Sequence, residues 1–98
     1  MTIEKTIEKG AAVFALKGRL DTVTSPELNQ AFQESLPEIQ SLTLDLQDLE
    51  YISSAGLRAL LSAHKALMHR GGMTLIHVGE TVQEVFEITG FADTLTIR

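Results

Sequence analysis

The sequence predicts an α/β fold: a small mixed β-sheet with an N-terminal antiparallel hairpin and helices covering it. Two features of the chain carry that expectation. Two short β-prone runs, Thr2–Ile7 and Ala11–Leu16, flank Lys9-Gly10, a dipeptide suited to a tight hairpin turn because glycine accepts positive φ. Further on, the period of the apolar residues switches repeatedly between two and about 3.6, so strands alternate with helices. Such alternation implies parallel crossovers, which are almost always right-handed.

The elements follow in order. In the second run Phe14, Leu16 and Gly18 alternate with Val13, Ala15 and Lys17, as in a strand with one better-buried face. Ser25-Pro26-Glu27 signals a helix start: Ser25 as cap, Pro26 with its φ preset, Glu27 at the positive helix end. Leu28, Phe32 and Leu36 form that helix's apolar stripe, and Pro37 stops it. Leu42-Thr43-Leu44-Asp45-Leu46 alternates strictly and reads as a strand ending near Leu46, with a loop beyond. The longest helix runs from Ser53 or Ser54 to His69, with Leu57, Leu60, Leu61, His64, Leu67 and Met68 as its buried stripe. Gly71-Gly72 is read as its left-handed cap, with Arg70 near the negative helix end. Met73–Val78 reads as a strand. A third helix from Glu80 or Thr81 to Thr89 turns Val82, Val85, Phe86 and Thr89 inward and ends at Gly90, and Leu95-Thr96-Ile97 is a short last strand.

Composition narrows the function. The chain has 98 residues, the length of one domain, and an apolar fraction of 44%, enough for one modest core. Its formal net charge of −5 argues against nucleic acid, whose phosphates require a Lys/Arg-rich face. Arg58, Lys65, His69 and Arg70 form only a local basic patch. With no cysteine, neither disulfides nor thiolate chemistry is possible. No apolar run approaches the ~18 residues of a membrane span, so no direct membrane insertion is expected. The polar start Met-Thr-Ile-Glu-Lys is unlike a signal peptide, and a cytoplasmic location is expected.

Catalytic chemistry finds little support. Ser54, His77 and Asp45 supply the residue types of a hydrolase triad, but residue types without geometry and without a Gly-x-Ser-x-Gly elbow are poor evidence. There is no phosphate-binding or dinucleotide fingerprint. His64 and His69 are five residues apart and do not share a helix face, so no metal site is expected, and no cofactor either.

The informative stretch is Leu44 to Leu57, in which Ser53-Ser54-Ala55-Gly56 opens the long helix. Two hydroxyls there meet N–H groups that lack intrahelical partners, a setting that serves as an N-cap and also suits an anion such as a phosphate on a serine. A pair of serines satisfies both roles, Ser53 capping while Ser54 stays free. Gly56 removes bulk on the first turn and is expected to let another molecule approach the backbone closely.

Over nearly its whole length the chain resembles a STAS domain of the anti-sigma factor antagonist family. The resemblance is carried by Gly18-Arg19-Leu20-Asp21, Leu44-Asp45-Leu46, Tyr51-Ile52-Ser53-Ser54-Ala55-Gly56-Leu57-Arg58, Gly71-Gly72 and Val85-Phe86-Glu87-Ile88-Thr89-Gly90-Phe91. It implies a single STAS domain over residues 1–98 that works by partner switching. The unphosphorylated antagonist binds an anti-sigma factor that is also a serine kinase, phosphorylation at the helix start breaks the complex, and a serine phosphatase resets it. The family motif reads Asp-Ser-Ser-Gly with the phosphate on the second serine. Aligned through Gly56, this chain has Ser53, Ser54 and Ala55, with alanine at the usual acceptor position. Ser54 is the favoured acceptor, Ser53 the alternative, and a constitutive, unmodified binder the third reading. The resemblance further implies partner contacts at Asp21, Thr22, Tyr51, Leu57, Arg58 and Ser62, against plainer roles as turn residues and a solvated helix face. Asp45 is expected either to accept bonds from nearby N–H groups below the serine turn or to play a structural role at the strand end. The rival function is that of a STAS subunit of a membrane transporter, as in lipid-transport complexes, without phosphorylation control.

Overall fold

The computed structural model describes residues 1–98. Strand β1 (Thr2–Glu8) pairs antiparallel with β2 (Ala11–Leu20). Lys9 and Gly10 join them at φ of 51° and 81°, the two left-handed residues that a type I′ hairpin requires. After β2 come α1 (Ser25–Ser35), β3 (Ser41–Ile52), α2 (Ser54–Leu67), β4 (Gly72–Ile76), α3 (Glu80–Thr89), a 3-10 turn at Phe91–Asp93, and β5 (Thr96–Ile97).

The sheet order is β1-β2-β3-β4-β5, and every pair after the first is parallel. Each crossover therefore steps one strand in the same direction. Right-handed crossovers that all step one way place α1, α2 and α3 on the same face. Beneath them lies one apolar cluster: Phe14, Leu16 and Leu20 of β2, Leu42, Leu44 and Leu46 of β3, Leu75 of β4, and Phe32, Leu60, Leu67, Val82 and Phe86 of the helices. The helices thus cover one face only. Val13, Thr43 and Thr74, aligned across three strands, belong to the open one.

Strand β3 runs six residues past the expected end at Leu46. Its register against β2 slips twice, between Ala15 and Lys17 and between Gly18 and Arg19, each time with an extra residue in β3. Such bulges break the period of two. They allow Leu49 and Ile52 to point into the core after Leu46, although each lies three positions after the one before.

Several helix details differ from the sequence reading. Ser25 is buried inside α1 and its hydroxyl donates to the Asp21 carbonyl; the cap position belongs to Thr24, whose own N–H goes to the Asp21 carboxylate. The buried stripe of α2 is Gly56, Leu57, Ala59, Leu60, Ala63 and Leu67, so the small residues seat the helix closely. Leu61 and His64 are only half-buried and Met68 is 57% exposed, because the helix is rotated toward its alanines. Gly72 is left-handed at φ 86° but opens β4 rather than capping α2, whose last turn ends at Met68. Arg70 does not serve its own helix end; its guanidinium donates to the Leu36 and Ile39 carbonyls at 2.7 and 3.0 Å, tying down the chain after α1. Strand β4 stops at Ile76, where His77 at φ 54° turns the chain out. Thr89 is exposed and its hydroxyl returns to the Val85 carbonyl, while Gly90 at φ 82° ends α3 as expected.

Candidate functional site

The carboxyl ends of β2 and β3 and the first turns of α1 and α2 meet at one end of the sheet. At the core of this corner, the last residue of β2 meets the residue that follows β3: the Ser53 N–H donates to the Leu20 carbonyl at 2.9 Å. Ser53 is extended, and its hydroxyl accepts the Gly56 N–H at 3.3 Å while its carbonyl accepts the Leu57 N–H at 2.9 Å. The Ser53 hydroxyl is therefore occupied as the cap. Ser54 is the first helical residue, and its side chain is exposed.

Gly56 is buried, and the space beside it belongs to the chain itself. A Cβ at this position would lie 2.8 Å from the Leu20 carbonyl oxygen and 2.9 Å from Ile52 Cγ1 and Leu20 Cγ. The expectation that Gly56 opens the backbone to another molecule is thus corrected. Glycine here lets the first turn of α2 press against the end of β2, which sets the height at which Ser54 is displayed. Leu57 is likewise in the core, 5% exposed, and offers no contact surface to a partner in this conformation.

The loop between β2 and α1 is held by Asp21. Its carboxylate accepts the Val23 and Thr24 N–H groups, each at 3.0 Å, and the Asp21 N–H donates to the Thr24 hydroxyl at 2.8 Å. That hydroxyl donates in turn to the Arg19 carbonyl at 2.7 Å. Asp21 thus has the turn role. The turn holds Val23 81% exposed beside Thr22. Arg19, which sequence reasoning did not select, lies 3.8 Å from the Asp21 carboxylate and stacks 4.2 Å from the centre of the Tyr51 ring. Arg19 and Tyr51 face each other because of the second bulge in β3, a register that no local pattern reveals.

Thr22, Ala55, Arg58 and Ser62 come together along a groove of about 530 Å³ between α1 and α2. Helix α1 contributes Asn29 and Gln33 to it, two further residues not singled out from the sequence. Of the sequence-selected residues, the corner therefore gathers Asp21, Thr22, Tyr51, Ser53, Ser54, Ala55, Arg58 and Ser62. The solvent-facing stripe of α2 holds for Arg58, Ser62 and Lys65, all exposed; His69 is exposed too but lies in the turn beyond the helix, which ends earlier than expected.

Asp45 lies elsewhere. It points to the open face of the sheet, opposite α2, where its carboxylate meets His77 Nδ1 at 3.0 Å and accepts the Gln47 N–H at 3.1 Å. Ser54 begins the helix on the other face, so Ser54, His77 and Asp45 do not converge as a triad.

Both aspartates are held below the ordinary carboxylate value of 3.8, Asp21 chiefly by the Thr24 N–H and Asp45 chiefly by the hydrogen bond from His77. A lowered folded value stabilises the fold above the unfolded value and is lost as pH falls through the folded one. Stability is therefore expected to drop below about pH 4. Asp21→Asn should flatten that drop, because its charge-specific bonds to the turn are gone at every pH. Urea midpoints measured across the acid range check this; an unchanged slope would contradict it.

A family model described as "STAS domain" matches residues 2–98. The "Anti-sigma-B factor antagonist" of Listeria monocytogenes is 30% identical over 83 residues, covering 83% of this chain and 73% of that protein. The crystal structure of an anti-sigma factor antagonist from Mycobacterium paratuberculosis superposes with a TM-score of 0.88 at 26% identity, over 98% of this chain and 83% of that one. The structure of the Bacillus cell fate determinant SpoIIAA in its phosphorylated form superposes with a TM-score of 0.77 at 16% identity, over 99% of this chain and 91% of that one, and shares the fold. No helix of this chain is long and apolar enough to cross a membrane.

Proposed function

The chain belongs to the STAS domain family, and we propose that it is an anti-sigma factor antagonist whose binding is switched by phosphorylation of Ser54. Like its named relatives it is a regulatory binding protein rather than an enzyme. In this reading the unmodified protein docks onto an anti-sigma factor through the corner around the start of α2. That anti-sigma factor is also the serine kinase that ends the association, and a serine phosphatase restores it.

The observation that carries the reading is the division of labour between the two serines. Ser53 is committed to capping α2, with its hydroxyl on the Gly56 N–H. Ser54 projects from the first helical position and is exposed. With alanine at position 55, it is the free hydroxyl nearest the family's usual acceptor. Its neighbour Ala55 lines the groove between α1 and α2 together with Thr22, Arg58 and Ser62, and Val23 in the β2–α1 loop is exposed, so the corner offers a surface to which a partner has access. A phosphate adds roughly −1.5 to −2 charges, so a docked surface would have to desolvate it and face its repulsion. Phosphorylation needs no refolding to act.

The test is incubation of the purified chain with its anti-sigma factor and ATP, followed by mass spectrometry of the peptide spanning residues 51–58. Phosphate on Ser54 is the expected result. A complex that forms while neither Ser53 nor Ser54 takes up phosphate would overturn the switch and leave a constitutive binder.

A further inference from the structure

Arg58 is the one charged residue lining the groove between α1 and α2; every other side chain there is neutral, including Asn29 and Gln33 from α1 and Ser62 from α2 itself. It takes part in none of the three ion pairs of the structure. Its own helix offers it no carboxylate, because residues 51–79 contain no Asp or Glu at all in a chain of net charge −5. Asp21, the acid of the β2–α1 turn, is already engaged by that turn and by Arg19. Arg58 is thus an exposed cation without a partner, four residues after Ser54 on one helix. Side chains at i and i+4 are neighbours on a helix surface, and an acidic group N-terminal to a basic one is the better orientation.

From this spacing we propose that Arg58 is the internal counter-ion of the phosphorylated switch: it reaches back one turn and pairs with the phosphate on Ser54. The inference rests on Ser54 as acceptor and adds how the modified state is held. The guanidinium presents a planar fork of N–H donors that matches two phosphate oxygens. The pair acts twice on the partner surface. It fixes the phosphate over the first turn of α2, and it withdraws from the groove the only positive charge that an acidic partner group could use. Lys65 cannot substitute, since eleven residues place it about 16 Å farther along the axis at 1.5 Å per residue. At physiological salt that is about two screening lengths.

The experiment needs no partner. The full chain is produced with phosphoserine genetically encoded at position 54, and its second ionisation is followed by ³¹P NMR, with the amide spectrum confirming the fold. An opposite charge at close range favours the dianion. The titration of the parent is expected about half a unit below that of Arg58→Gln, roughly a threefold change in the acid constant for a solvent-exposed pair. Lys65→Gln should titrate like the parent, and 1 M salt should narrow the gap. Equal titrations for the parent and Arg58→Gln would overturn the pairing. So would an equal shift from Lys65→Gln, which would mean a diffuse field. A kinase that ignores Ser54 would instead defeat the proposed function without altering this measurement.

Discussion

Phosphorylated Ser54 is expected to weaken binding to the anti-sigma factor about a hundredfold, corresponding to roughly 3 kcal/mol at ~1.4 kcal/mol per decade. Ser54→Asp, with a single charge and a shorter reach, should lose about tenfold, while Ser54→Ala should bind like the parent. The reasoning is electrostatic. The serine hydroxyl is small and exposed, so its removal leaves no buried group unpaired. A doubly charged phosphate at the same place must shed water as the surfaces close, and that loss is not recovered unless the partner supplies matching cations. Calorimetric titration of the three proteins against the anti-sigma factor measures the series. Equal affinities for Ser54→Ala and Ser54→Asp would remove the basis of the charge argument. Ser53→Ala separates cap from switch: the lost cap should cost about 1 kcal/mol of folding stability. Its effect on affinity should be small.

Gly56→Ala is expected to lower folding stability by about 1 to 3 kcal/mol, the usual range for forcing extra volume into a packed site. Two effects oppose each other. Alanine is the better helix former by about 1 kcal/mol, which favours the variant. Against it, the new Cβ would sit 2.8 Å from the Leu20 carbonyl oxygen. That oxygen is backbone, and it is held in place by the Ser53 N–H at 2.9 Å. It cannot give way as the end of a flexible side chain would, so the clash outweighs the propensity. Relief requires α2 to lift away from β2, which carries Ser54 with it. Urea unfolding should therefore show a lower midpoint, and Gly56→Val a larger loss. A Gly56→Ala variant as stable as the parent would mean that the seat is looser than these distances imply.

The seat of α2 also shows why a site of this kind is read only in part from a sequence. The presence of Gly56 is plain in the chain, but its reason is not: the oxygen it must avoid belongs to Leu20, thirty-six positions earlier. From local pattern alone, a small residue on a first helical turn reads as access for a visitor. The same limit applies to Leu57, which the motif groups with the exposed Arg58 but which points into the core. Asp45 divides differently: it accepts a nearby N–H as expected, from Gln47, but its alternation with Leu44 and Leu46 puts it on the face away from the serines, beside His77.

What the sequence determined was everything governed by near neighbours: the Lys9-Gly10 hairpin, the alternation that makes Leu42–Leu46 a strand, the helical spacing of α2, the left-handed stop at Gly90, and the pair of hydroxyls that opens α2. Tertiary structure decided what depends on register between distant segments. Two bulges carry β3 on to Ile52 after the period of two has lapsed, and only that extension brings Arg19 opposite Tyr51 and Leu20 against Ser53. Periodicity reports the backbone's own repeat. A bulge is an exception to that repeat, stabilised by the neighbouring strand, and so it leaves no periodic trace in the residues that form it.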